Sequence, residues 1–322
     1  MNFFFLQERP LENLINVNLR HCEFITELPK LWAPNLKMLG LSYCKNLVKL
    51  TELGAPNLWY LNLSNCKNLV KLTELGAPNL WSLELSNCEN LVEIDECFGS
   101  LEELTEWHLD GCRKLQILPS QLRLESLNVF YLDGCSSLEE FPNFHPEMEY
   151  LKTLDLEGSG IREVPSSIEH LTMLEKLNLS GCKNLGDLPD SIYKLQQLQK
   201  LRTSTGKLRP TCDSFDGSSG YGFVNMTELD FSGFDGIIEF DLLMKPDYFP
   251  ALKMIDLSDT NIVTIPEIIS RFPRLESLYA MHCKLLREIQ GLPQSIRWVH
   301  VDGSMLLNTS PSGLFNQVSL FL

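Results

Sequence analysis

The chain has few of the features that mark the commoner functional classes. No run of about 18–20 apolar residues, the length needed to cross a bilayer, occurs in its 322 residues. The amino-terminal apolar run, Phe3 to Leu6, has no basic residue before it and is followed at once by Glu8, Arg9 and Pro10, which makes it too short for a secretory leader. The expectation is a chain that is neither secreted nor held by a membrane. Phosphate-loop, HExxH and GxSxG motifs are missing, and with them the usual signatures of nucleotide, zinc and serine chemistry. No catalytic residue, cofactor or metal ligand is therefore expected. Positive charge is scarce as well: 27 Lys and Arg stand against 42 Asp and Glu, a net charge of −15. Nucleic acid is an unlikely partner for such a surface.

What the chain has is repetition. APNLKMLGLSYCKNLVKLTELG, APNLWYLNLSNCKNLVKLTELG and APNLWSLELSNCENLVEIDECFGS follow one another between Ala33 and Ser100, with Leu36, Leu58 and Leu80 separated by 22 residues. The phrase LxxLxLxxC is a leucine-rich repeat in its cysteine form. In Tyr60-Leu61-Asn62-Leu63-Ser64, alternation sends Leu61 and Leu63 inward and the other three outward. One such strand cannot bury its apolar side, so rungs must stack. The predicted fold is an α/β leucine-rich repeat horseshoe solenoid. A single parallel sheet lines its concave face, and loops, 3₁₀ turns and short helices form its convex face.

Thirteen rungs can be counted, from the one opened by Leu14 to the one opened by Ile296. They define a repeat domain over 11–307, with a lead-in at 1–10, an irregular serine- and glycine-rich stretch at 203–223 and a tail at 308–322. Eight of the ten cysteines, among them Cys44, Cys66, Cys88 and Cys112, share one repeat position. A residue chosen by rung geometry is a core residue first. A reduced thiol that meets a backbone carbonyl after each strand fits this position better than zinc or a disulfide. Ser159 and Thr260 replace cysteine in two rungs and are expected to make the same contact through a hydroxyl. Pro165, Pro189 and Pro266 each close a rung and should precede a short convex turn. The Ala-Pro-Asn flank of the first rungs should be loop.

Acidity is concentrated. Residues 81–170 hold 5 Lys and Arg against 19 Asp and Glu. In rungs four to seven the outward positions carry Glu84, Glu106, Asp110, Asp133, Asp155 and Glu157, with Tyr131 among them. In the next two rungs the sign changes with Lys176, Lys200 and Arg202. These ten residues are the candidate partner-binding set, because a cluster of like charge steers an oppositely charged protein and tyrosine is enriched at interfaces.

The opening rungs, LINVNLRHCEFITELPKLWAPNLKMLGLSYCKNLVKL, the central LDLEGSGIREVPSSIEHLTMLEKLNLSGCKNLGDLP and the late KMIDLSDTNIVTIPEIISRFPRLESLYAMHCKLLREI resemble the leucine-rich repeat region of plant intracellular TIR-type nucleotide-binding disease-resistance proteins. Alternation of cysteine rungs with IxxVP-type rungs carries the resemblance. It implies a recognition module of an innate immune receptor, working in the cytoplasm or the nucleus. The implied partners are a pathogen effector, a guarded host protein or the nucleotide-binding domain of the same receptor. Neither a TIR domain nor a nucleotide-binding domain is written in these residues, so their chemistry does not transfer. Two other repeat-bearing classes stay open: a substrate adaptor of a ubiquitin ligase and the ectodomain of an extracellular receptor.

Overall fold

The computed structural model describes residues 9–28, 30–51, 53–203, 222–236, 238 and 246–303. Most of the irregular stretch 203–223, most of the lead-in 1–10 and the whole tail 308–322 lie outside the described residues. The chain divides into two compact units, Met1–Leu171 and Thr172–Leu322.

In the first unit seven short strands pair in sequence order: β1 (Asn16–Asn18), β2 (Met38–Gly40), β3 (Tyr60–Asn62), β4 (Ser82–Glu84), β5 (Glu106–His108), β6 (Val129–Tyr131) and β7 (Thr153–Asp155). All the pairs are parallel and keep one register, with Leu39 beside Leu61, Leu61 beside Leu83, Leu83 beside Trp107 and Trp107 beside Phe130. In the second unit β8 (Lys176–Leu179), β9 (Lys200–Thr203), β10 (Glu228–Asp230), β11 (Met254–Asp256), β12 (Ser277–Tyr279) and β13 (Trp298–His300) pair in the same way. Each unit is a leucine-rich repeat solenoid with one strand per rung, as the leucine step predicts. Among the described residues no helix is long and apolar enough to cross a membrane.

The third rung shows what holds the stack together. Leu58, Leu61, Leu63, Cys66, Leu69 and Leu72 are all completely buried. After each strand the residue before the cysteine turns left-handed, with φ near 60° at Tyr43, Asn65 and Asn87. That conformation favours Gly, Asn and Asp. At Gly111 φ is 71° and a Cβ would stand 2.5 Å from Asn87 Oδ1, so a larger residue would need that side chain to shift.

The turn delivers each thiol to the leucine carbonyl of the rung before it. Cys44 donates to Leu19 at 3.1 Å, Cys66 to Leu41 at 3.2 Å, Cys88 to Leu63 at 3.1 Å and Cys112 to Leu85 at 3.2 Å. Burial pushes the thiols of Cys66 and Cys112 up to about 12, and all nine described cysteines are free of disulfides. Threonine behaves differently from the expected substitute. Thr260 Oγ1 donates to Leu257 O within its own rung at 2.6 Å, and that carbonyl also receives the Cys283 thiol. The same Oγ1 lies 3.6 Å from Cys283 Sγ of the following rung.

The outer flank fits the sequence reading in its turns and departs from it in one respect. Its helical elements among the described residues are all 3₁₀ turns, three of them preceded by Pro165, Pro189 and Pro266. The flank of the first rungs, read as loop, instead pairs Leu31–Trp32 with Leu53–Gly54 and Glu27–Leu28 with Lys49–Leu50. The Ala-Pro-Asn phrase has its own use here, because Asn35, Asn57 and Asn79 each donate a side-chain N–H to a carbonyl of the preceding rung.

Candidate functional site

Rungs four to seven belong to the first unit, and the parallel register puts their outward residues side by side. Glu84 stands beside His108, Ser82 beside Glu106, and Tyr131 between His108 and Asp155. His108 Nε2 lies 4.0 Å from Glu84 Oε1, and its ring rests against Tyr131 with centroids 5.1 Å apart. Asp110, Asp133 and Glu157 come after the strands, in the turns, where Gly111 and Gly134 donate their N–H groups to the carbonyls of Asp133 and Glu157. Ser86 Oγ donates to Asp110 Oδ1 at 2.6 Å.

The register therefore produces a row of carboxylates one strand spacing apart, about 4.8 Å. Asp133 bears the consequence. Partial burial, then the charges of Asp155 and Asp110, push its carboxyl up to about 6, against some relief from a backbone hydrogen bond. A carboxyl raised in the folded state favours folding only while it is protonated. Its stabilisation is complete below the ordinary value of 3.8 and is lost as pH rises towards 6. Asp133→Asn should accordingly be more stable than the natural chain at pH 7.5, by about 1 kcal/mol once solvent screening is allowed for. Thermal melts should show this advantage growing between pH 4 and 6 and constant above.

A recurring device at the strand ends went unnoticed in the sequence. Asn18, Asn62, Asp155, Asn178, Asp230 and Asp256 each hold the third position of their strand and accept a hydrogen bond from the backbone N–H two residues on, at 2.7–3.1 Å. These are Asx turns, which satisfy the backbone locally. The signal, an Asn or Asp at the third strand position, was present but had been read only as an outward polar residue. Asp155 is thus tied to its own turn. In β4, β5 and β6 the same position carries Glu84, His108 and Tyr131, whose side chains serve no such turn.

The basic candidates sit in the second unit. Lys200 pairs with Glu228 at 2.7 Å and Arg202 with Asp230 at 2.8 Å across β9 and β10, so acids of this chain already engage both. Lys176 is exposed on β8. One outward assignment needs correction: Ser82, though on the outer face of β4, is completely buried between its register neighbours Tyr60 and Glu106, and its hydroxyl has no hydrogen-bond partner among the described residues.

Residues 123–308 match the family described as "Disease resistance protein RPS4B-like, leucine-rich repeats". The chain belongs to this family. The resistance-protein repeats of two plants show the same relationship. TMV resistance protein N of Nicotiana glutinosa is 28% identical over 259 residues, covering 66% of this chain and 23% of that protein. Disease resistance protein RPS4B of Arabidopsis thaliana is 30% identical over 204 residues, covering 63% and 16%. The chain thus spans less than a quarter of these relatives. Among solved structures, a leucine-rich repeat protein of Leptospira interrogans aligns over 90% of this chain and 84% of its own with a TM-score of 0.52 and 21% identity. That likeness is one of fold. In these resistance-protein repeats, then, the acidic row and the three consecutive uncapped strand ends of β4–β6 are the features that repeat geometry does not account for.

Proposed function

We propose that the outer face of β4–β6, with the turn acids Asp110 and Asp133, is a protein-recognition surface of a plant immune receptor that takes a basic partner. The observation that carries this is the run of three successive strand ends, Glu84, His108 and Tyr131, in which the turn-capping Asn or Asp of β1, β3 and β7 gives way to residues with no turn to serve; elsewhere the change comes singly or in a pair, at Gly40, Arg202, Tyr279 and His300. A locally costly departure from a working pattern is where function tends to sit. Half-buried Glu84 and His108 next to an aromatic ring make a surface with both charge and apolar area.

The partner is a pathogen effector, a guarded host protein or the nucleotide-binding switch of the same receptor, met in the cytoplasm or the nucleus. Attraction by a row of like charges chiefly raises the association rate, and salt screens it over about 8 Å at physiological ionic strength.

The test uses a complete receptor carrying these repeats with Glu106→Lys, Asp110→Lys and Asp133→Lys combined. Asp155 is left intact because its carboxylate holds a turn. The expected result is association at least about tenfold slower, seen as a lost response to the elicitor or, if the switch domain is the partner, as signalling without one. An unchanged thermal midpoint would show that the fold is kept. Normal resting and elicited signalling by the triple variant would leave the acidic face with no role beyond solubility.

A further inference from the structure

Glu84, Glu106 and His108 form the one group of metal-capable side chains found among the described residues. Each offers one ligand atom, and the three atoms lie within 4.8 Å of one another. Three features set the group apart from a chance meeting on an acidic surface. First, all three residues sit on β4 and β5, whose register is fixed by the leucine ladder beneath, so their relative positions do not depend on a loop. Second, the 4.0 Å from His108 Nε2 to Glu84 Oε1 is too long for a hydrogen bond and leaves room between the two atoms. Third, Ser82 stands on the same face, two residues before Glu84 and directly beside Glu106, and its completely buried hydroxyl has no partner among the described residues. A buried polar atom left unsatisfied is costly, and this one belongs to the register neighbour of a ligand, Glu106.

We propose that Glu84, Glu106 and His108 bind a divalent transition ion of the zinc class, with the Ser82 hydroxyl supporting a carboxylate or a metal-bound water from below. One imidazole nitrogen and two carboxylates make a borderline donor set, which suits zinc and its neighbours. Calcium and magnesium take six or more oxygens and would lack donors here. Bonds of about 2.0–2.2 Å to a tetrahedral ion place ligand atoms roughly 3.3–3.5 Å apart. Rotation of the two glutamate side chains closes the present gaps without moving the strands. The contact of the His108 ring with Tyr131 limits how far the third ligand can turn. Three protein ligands leave a fourth position for water or for a donor from a bound partner. Zinc capture does not require that this face recognise a protein.

The test is titration of the metal-free full chain with zinc under reducing conditions, by calorimetry and by metal analysis after dialysis. One equivalent should bind and raise the thermal midpoint in a concentration-dependent way. Glu84→Gln and His108→Gln, both half-exposed positions, should each weaken binding at least about tenfold, in line with loss of one ligand. Calcium and magnesium at the same concentration should not compete. The cysteine ladder offers the rival ligands, and cobalt(II) tells the two apart: the proposed oxygen and nitrogen donors give no thiolate-to-metal charge-transfer band. Absence of saturable zinc binding would overturn the proposal. So would binding that survives both substitutions, or a cobalt spectrum with the thiolate band.

Discussion

Trp107→Ala should cost about 3–5 kcal/mol, the usual range for a large aromatic deleted from a packed core, and should lower the thermal midpoint more than any change on the outer face. Trp107 is completely buried at the inward position of β5. It stacks on Phe130 of the next rung at 4.9 Å, with the rings 9° from parallel. Its neighbours on the other side, Leu83 and the turn leucines, are held by their own rungs and cannot collapse into the vacated space. The indole N–H, however, has no acceptor among the described residues, and an unsatisfied buried donor costs about 1–3 kcal/mol. Trp107→Phe removes that donor while keeping the stack, so it should lie within about 1 kcal/mol of the natural chain. Denaturant unfolding of both variants checks the pair. Similar losses in the two would mean that the indole nitrogen finds a partner after all.

Leu61→Ala is the second large effect, at about 2–5 kcal/mol. Leu61 is completely buried between Leu39 and Leu83, so its removal opens a cavity that touches three rungs at once. Asn62, one residue on, points outward, and from the alternation alone its truncation should cost no more than about 0.5 kcal/mol. The structure raises that figure. Asn62 Oδ1 accepts the Ser64 N–H at 3.0 Å, and its amide donates to the Tyr60 hydroxyl at 2.9 Å. Loss of the turn contact should bring the cost of Asn62→Ala to about 1 kcal/mol, with Asn62→Asp recovering most of it. Chemical denaturation of the three variants separates the cavity from the turn.

The contrast between Leu61 and Asn62 also marks how far the sequence could be read. The inward ladder was legible because burial repeats with the chain: a leucine at a step of 22 to 24 residues has the same environment in every copy, and Cys44, Cys66 and Cys88 follow it into the turn. The outer face was legible as a list of residues and much less as a site. Alternation tells which side chains face out, but it does not say which neighbour each will choose once the register is set. Lys200 and Arg202, candidates for meeting a partner, also pair with Glu228 and Asp230 of this chain. Ser82, expected in solvent, is covered by longer side chains on either side. Asp155, a candidate recognition acid, also holds a backbone N–H, which alternation alone does not reveal. The meeting of Glu84 with His108 follows from a step of 24 residues, the same arithmetic that aligns the leucines.

The direction of the thiol contacts has a consequence for how such a chain can change in length. Cys44, Cys66, Cys88, Cys112, Cys135 and Cys283 reach backwards, to the rung before their own, and the flank asparagines Asn35, Asn57 and Asn79 do likewise. A rung copied whole therefore arrives with its own donors and finds an acceptor already waiting, while offering an identical acceptor to its successor. Residues 33–54 and 55–76 look like such a copy. They differ at four places only, Lys37 against Trp59, Met38 against Tyr60, Gly40 against Asn62 and Tyr43 against Asn65. None of the eight is buried, and every position that locks one rung to the next is unchanged. Duplication with free rewriting of one face, at no cost to the seam, is a way for a surface to grow and diversify without the fold being solved again.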